Sequence, residues 1–324
     1  MSQPTRPMPI TVRHRPLLAT LIGVETMFQA RWSLWGYVFA LPWLVGLAVF
    51  WLGPILASFY LSFTKYDILS PPEFIGLENF RVAFFEDKLF WPSVGRTFEY
   101  SLITVPLGLI GSLALAALLN RPARGVSLFR ALFFLPSLIP SVALALLWIW
   151  LFDSNLGLIN FALQTVGLPG PGWFASEQWS MPALVITYVW SAWGGSTMLI
   201  FLAGLQGVDR TLLEVAQIDG AGRWATFRNV TLPMISPTIF FNFVLGVIAG
   251  LQVFTIAYVA TGGGPSYTTW FYALHIYNHA FSYLELGYGS ALAWLFVVAL
   301  LAFTYFQLRL SRRWVYYGGG SEQW

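Results

Sequence analysis

The chain has 324 residues, of which 57% are hydrophobic and only 10% charged, whereas soluble domains carry roughly 25% charged residues; this is the composition of a protein whose solvent is the lipid bilayer. It contains no cysteine, which excludes disulfides and thiolate metal sites. Its net charge of +3 matters only through where the charges fall, and no nucleic-acid partner is expected.

Residues 1–33 form a basic arm with Arg6, Arg13, Arg15 and Arg31. Leu17 to Met27 is moderately apolar, but Glu25 interrupts it and no small-residue cleavage site follows. It reads as an amphipathic helix lying on the membrane, not as a signal peptide. Charge gaps then place the spans, because a crossing helix needs about 20 apolar residues. Span one is expected at about Leu34 to Tyr60. Span two falls between Glu99 and Arg121, span three between Arg130 and Asp153, and span four between Glu177 and Asp209. The 56 residues between Arg228 and Glu285 carry no Asp, Glu, Lys or Arg and are too many for one helix. Gly262-Gly263-Gly264-Pro265 cuts them, so span five runs from about Ser236 to Val259. Span six lies between Glu285 and Arg309.

The expected fold is an all-α integral membrane protein, with six transmembrane helices over residues 34–313 and a short tail, 314–324. Six spans put both termini on one side. Thirteen of the 17 Lys and Arg residues fall on that side, and the other four lie in an opposite loop, with five acids between Lys65 and Arg96. The positive-inside rule makes the basic side, with both termini, cytoplasmic.

The loop between spans four and five, residues 209–237, is the longest polar interruption in the second half of the chain. Thr211 followed by Glu214 fits a capping box, Asp219-Gly220 a helix stop, and a second helical run is expected from Arg223 to Asn229. Glu214-Val215-Ala216, Asp219-Gly220-Ala221, Phe227 and Leu232-Pro233 together resemble the EAA loop of ABC importer permeases. Val215 where Ala is usual, and Asp209 where Pro often stands, depart from that pattern. Phe74 to Phe80, Phe133 to Pro136, Thr261 to Pro265 and Gly287-Tyr288-Gly289 extend the resemblance over about residues 35–313. These phrases are similar to the carbohydrate-uptake, maltose/trehalose-type branch.

The resemblance implies the type I ABC importer permease fold, in a binding-protein-dependent inner-membrane component of a bacterium or archaeon. It implies short coupling helices that dock on an ATPase, with Glu214, Ala216, Asp219, Gly220, Ala221 and Arg223 as the coupling residues. The partners it implies are a second homologous permease, two ATPase subunits and an extracytoplasmic sugar-binding protein. No cofactor is expected in this chain; ATP and Mg belong to the ATPase subunits.

The residues themselves agree with a passive subunit. A P-loop needs Gly-x4-Gly-Lys-Ser/Thr, and the only lysines, Lys65 and Lys88, do not follow Gly, so the chain is not expected to be an enzyme. A secondary sugar carrier or channel is the alternative, but proton- and ion-coupled carriers place acids within spans and none stands at mid-span here. Asp153 and Glu177 are too isolated for a glycosyl-transfer enzyme. His275 and His279 are spaced as metal pairs on a helix are. With only Glu285 near them in sequence, they read as part of an exposed helix, and no metal is expected.

A sugar path needs hydroxyl, amide and aromatic groups. Ser137, Ser141, Trp190, Ser191, Trp193, Ser196, Asn242, Gln252, Thr255 and Tyr258 are candidates, with helix packing as the competing reading for each. The resemblance places the family's sugar-contacting stretches near Ser137, Ser141, Ala192, Trp193, Ser196, Gly250, Gln252 and Val253. No Lys or Arg lies within the spans, and an unpaired anion away from water is costly, so a neutral di- or oligosaccharide is expected.

Overall fold

A computed structural model describes residues 27–121 and 123–316. The basic arm before residue 27, with the amphipathic helix expected in it, and the tail after residue 316 lie outside the described residues. Two compact units meet at Tyr60 and Leu61. In the first, α1 (Met27–Leu47) continues through a π-helical turn, Ala48–Leu52, into α2 (Gly53–Leu61). The helix starts before the expected Leu34, and its apolar stretch Trp35–Leu61 is long enough to cross a bilayer.

The second unit opens with a two-stranded antiparallel hairpin, β1 (Thr64–Lys65) and β2 (Glu73–Phe74), in which Thr64 pairs with Phe74. Then come α3 (Glu78–Phe85), α4 (Phe90–Leu119), α5 (Val126–Phe134), α6 (Ser141–Leu151), α7 (Leu158–Thr165), α8 (Ser180–Ala192) and α9 (Ser196–Gln206). α10 (Arg210–Ile218) and α11 (Arg223–Thr226) follow, then α12 (Ser236–Leu251), α13 (Thr255–Ala260), α14 (Tyr272–Tyr277) and α15 (Leu286–Ser311). Four helical stretches are long and apolar enough to cross a membrane: Trp35–Leu61, Phe90–Leu119, Ser236–Ala260 and Leu286–Ser311. The pairs α5/α6 and α8/α9 pass the same test together, bent by 96° and 46°. Counting each pair as one span gives six.

Charge gaps do not show these two bends, but their causes are local. Between α5 and α6 the residue before Pro140, Ile139, is extended at ψ 127°, because the proline ring excludes the helical region for its predecessor. Between α8 and α9, Gly195 is extended at ψ −160°.

The long α4 is the axis on which α8, α9, α12 and α14 pack, and its buried side is hydroxyl-rich: Ser93, Thr97, Ser101, Thr104 and Ser112. Ser112 Oγ donates to the Ala192 carbonyl at 3.0 Å, and the Tyr272 amide donates to Thr97 Oγ1 at 2.8 Å. In lipid, apolar area gives helices little reason to associate, so close packing and such bonds, on the order of 0.6 kcal/mol each, hold them together.

α4 spans 30 residues, or about 45 Å at 1.5 Å per residue, and so separates two ends of the bundle. At its N-terminal end Asn79 is buried and donates through Nδ2 to the carbonyls of Ser62 and Thr64, both at 2.9 Å, which clamps the segment Phe74 to Phe80 to the hairpin. The histidines also lie at this end, and here the expected exposed helix is corrected. His275 is fully buried, with Nε2 2.9 Å from Asp87 Oδ2. That carboxylate is 188 positions away in sequence, so local spacing could not reveal it. Burial holds the His275 imidazole below its ordinary value despite Asp87. Burial pushes the Asp87 carboxyl up, but the Tyr288 hydroxyl, the Leu89 amide and His275 outweigh it and hold Asp87 below the usual range.

Candidate functional site

At the other end of α4, α10 and α11 form the polar segment singled out in the sequence. Its start differs from the expected capping box. Asp209 is the N-cap, its Oδ1 accepting from the Thr211 amide at 2.9 Å, so the pair Thr211 and Glu214 does not close the helix. Glu214 lies beyond the first turn, exposed, and makes no hydrogen bond or ion pair among the described residues. The end is as expected. Gly220 takes φ +79°, the Ala221 amide reaches the Ala216 carbonyl at 2.9 Å and the Gly220 amide the Gln217 carbonyl at 3.0 Å. These two bonds define a Schellman stop, which needs a left-handed residue at the glycine position. Asp219 closes the helix by position alone, since its side chain has no partner among the described residues.

α10 has two faces. Leu213 packs against the core cluster of Phe201, Leu205 and Ile235, and Ala216 is half-buried. Glu214, Val215 and Ile218 point outward; Ile218 is 84% exposed, and Trp224 beyond the turn 71%. The indole of Trp224 stacks on Phe227. A short polar helix that shows isoleucine and tryptophan to solvent is built to be covered. Sequence reasoning missed Ile218 and Trp224, with which the exposed Val215 forms one strip. The signal was present: α10 has apolar residues on more faces than one core contact uses. Ala221 is half-buried and Arg223 exposed at the start of α11. Arg223 and Arg121 line one cavity, which ties this segment to the C-terminal end of α4.

Two adjoining, open cavities meet at the bends. One, of about 290 Å³, is lined by Ser137, Ser141, Tyr188, Ser191, Gly195 and Ser196 among others. The second, of about 210 Å³, shares Ser141, Tyr188 and Ser191 and adds Tyr100, Thr187 and Thr255. Both exist because α5/α6 and α8/α9 break where they face each other, and Phe254 before α13 closes one wall. Among the described residues no Asp, Glu, Lys, Arg or His lines either cavity.

Of the path residues expected from sequence, the structure brings together Ser137, Ser141, Ser191, Ser196 and Thr255, with Ala192 and Val253 beside them. Four others are placed elsewhere. Trp193 Nε1 donates to the Leu107 carbonyl at 2.9 Å and its ring lies over Gly111, so it anchors α8 to α4. Trp190 rests edge-on against Trp148 at 5.8 Å. Gly250 is a packing position, where an added Cβ would stand 2.8 Å from Ser101 Oγ. Gln252 ends α12, exposed and outside both cavities. Tyr188 was missed: α8 is apolar nearly all round, and its periodicity does not say which aromatic points inward. Asp153 accepts from the amides of Asn155 at 2.9 Å and Leu156 at 2.8 Å, and Glu177 accepts from Ser266 Oγ; both organise loops.

A family model described as the binding-protein-dependent transport system inner membrane component matches residues 105–316. The chain is 40% identical over 308 residues to the probable ABC transporter permease protein YesP of Bacillus subtilis, covering 93% of this chain and 99% of that protein. It is 33% identical over 279 residues to the trehalose/maltose transport system permease protein MalF of Thermococcus litoralis, covering 86% and 93%. Its fold matches, with a TM-score of 0.78 and 23% identity over 88% of this chain and 96% of the other, a chain of a bacterial ABC transporter involved in the import of the acidic polysaccharide alginate.

Proposed function

The chain belongs to the family of binding-protein-dependent transport system inner membrane components, and from that premise we propose that it is the permease subunit of an ATP-driven importer passing a neutral di- or oligosaccharide into the cytoplasm. The observation that carries the cargo class is the pair of cavities lined by Ser137, Ser141, Ser191, Ser196 and Thr255, with Tyr188 between them and no charged side chain. Hydroxyls exchange hydrogen bonds with sugar hydroxyls, and an aromatic ring offers its face to the apolar side of a sugar ring. Relatives are named both for trehalose and maltose and for an acidic polysaccharide, so cargo is argued from the cavity and not from kinship. Competition of uptake tests it. Neutral oligosaccharides are expected to compete and sugar phosphates and uronates not to; saturable uptake of only the charged compounds would overturn the assignment.

In this reading sugar arrives from an extracytoplasmic binding protein, and this chain pairs with a second, similar permease. Two copies of an ATPase bind ATP and Mg and close. α10 and α11, docked on them through Glu214, Val215, Ile218 and Trp224, carry that motion into α4, α9 and α12. The hinges available to the motion are the bends at Pro136–Pro140 and Gly194–Gly195, which line the cavities. The polar segment must therefore be cytoplasmic. With no native cysteine, Arg223→Cys should react with an impermeant thiol reagent only from the cytoplasm and Ser266→Cys only from outside. The reverse pattern would exclude ATPase docking at this segment.

A further inference from the structure

We propose that Asp87, His275 and His279 form a binding site for a late first-row divalent metal ion, of which zinc is the type, on the face of the bundle opposite α10. His279 lies in the π-helical turn Asn278–Ser282 that continues α14. One oxygen or ring nitrogen from each of the three residues lies within 4.8 Å of the others. The set of two imidazoles and one carboxylate suits zinc, cobalt or nickel, whereas calcium and magnesium take oxygen ligands.

Geometry around His279 favours an ion over a plain ion pair. Its Nδ1 is 2.7 Å from Glu285 Oε2, and donation of the Nδ1 proton to that carboxylate leaves Nε2 as a lone pair. That Nε2 stands 3.8 Å from Asp87 Oδ2. The gap is too long for a hydrogen bond and within about 0.5 Å of the roughly 3.3 Å that separates two tetrahedral ligands each about 2.0–2.1 Å from one ion. Asp87 is held from behind: its Oδ1 accepts from the Leu89 amide at 2.8 Å and its Oδ2 from the Tyr288 hydroxyl at 2.6 Å. The cluster opens into a cavity of about 660 Å³ lined also by Asp67, Glu285 and Lys65, and by Glu78 and Glu86, the last two paired with Arg81. The opening leaves a coordination position for water.

His275 carries the one feature that opposes metal. The Trp270 indole N–H donates to its Nδ1 at 3.1 Å, so its proton sits on Nε2 and points to Asp87. To ligate through Nε2, His275 must move that proton to Nδ1, and the indole must release it. Trp270 thus sets the affinity of the site, and removing its N–H should tighten binding.

The full chain in lipid nanodiscs, titrated with cobalt(II) and back-titrated with zinc, tests this. One equivalent is expected to bind saturably, with the strong visible absorption of four-coordinate cobalt. His279→Gln should lose it. Trp270→Phe should keep it and bind about tenfold tighter or better, a response that a purely structural cluster has no reason to give. In a chain without native cysteine, His279→Cys should add a thiolate-to-cobalt band absent from the parent. That result shows ligation directly, even where His279→Gln folds poorly. No saturable binding, binding that survives intact in a folded His279→Gln, or the lack of a thiolate band in a folded His279→Cys would overturn the site.

Discussion

Gly194→Ala is expected to abolish transport and sharply lower the thermal stability of the purified chain. A Cβ at residue 194 would stand 1.9 Å from the Phe133 carbonyl oxygen, 2.6 Å from its carbon and 3.1 Å from its Cα. The obstruction is backbone, so no rotamer relieves it. Overpacking typically costs about 1–3 kcal/mol when side chains can shift, and more is expected where two helix breaks must separate. They cannot separate cheaply. Trp193, the preceding residue, is pinned to the Leu107 carbonyl, and Ser137 and Ser196 on the two sides of the contact line the same cavity. Gly172→Ala is the control, since its Cβ would meet only Ser176 Cβ at an ordinary 3.8 Å. Normal uptake by Gly194→Ala would show that the two bends do not pack as described.

Glu214→Ala and Ile218→Asp should each cut uptake and sugar-stimulated ATP hydrolysis together by about thirtyfold or more, while the chain stays folded. Truncating one partner of a buried, hydrogen-bonded charge pair costs about 2–5 kcal/mol, and each 1.4 kcal/mol is about tenfold. The cap makes the test clean. Asp209 and not Glu214 satisfies the helix start, and Ala is a better helix former than Glu, so any loss is a loss of docking. Ile218→Asp places an ionised group where an apolar contact is proposed, without touching the core that Leu213 joins. Full transport by both variants would leave α10 as a connector.

The spans were legible in the sequence because lipid punishes charge and unpaired backbone alike, so gaps between charged residues mark helices. Gly220 was legible because a helix stop of this kind needs a left-handed residue. The bends were harder: Pro136, Pro140 and the pair Gly194-Gly195 are visible, but their consequence depends on the two breaks facing each other. In α8 the sequence pointed to Trp190, Ser191 and Trp193, while the structure turns Ser191 and the missed Tyr188 into the cavities, because a helix apolar on all sides has no polar face to orient it. Asp87 and His275 meet only through the fold, and the N-cap went to Asp209 because the helix starts two residues earlier than the capping-box reading placed it.

Reconstitution in sealed vesicles tests the central claim most directly. The chain with the second permease and ATPase proposed for it should accumulate sugar only when binding protein and ATP are supplied on their proper sides, and the chain alone should transport nothing. Saturable sugar uptake by the chain alone, without ATPase or ATP, would contradict the account and make this protein a carrier in its own right.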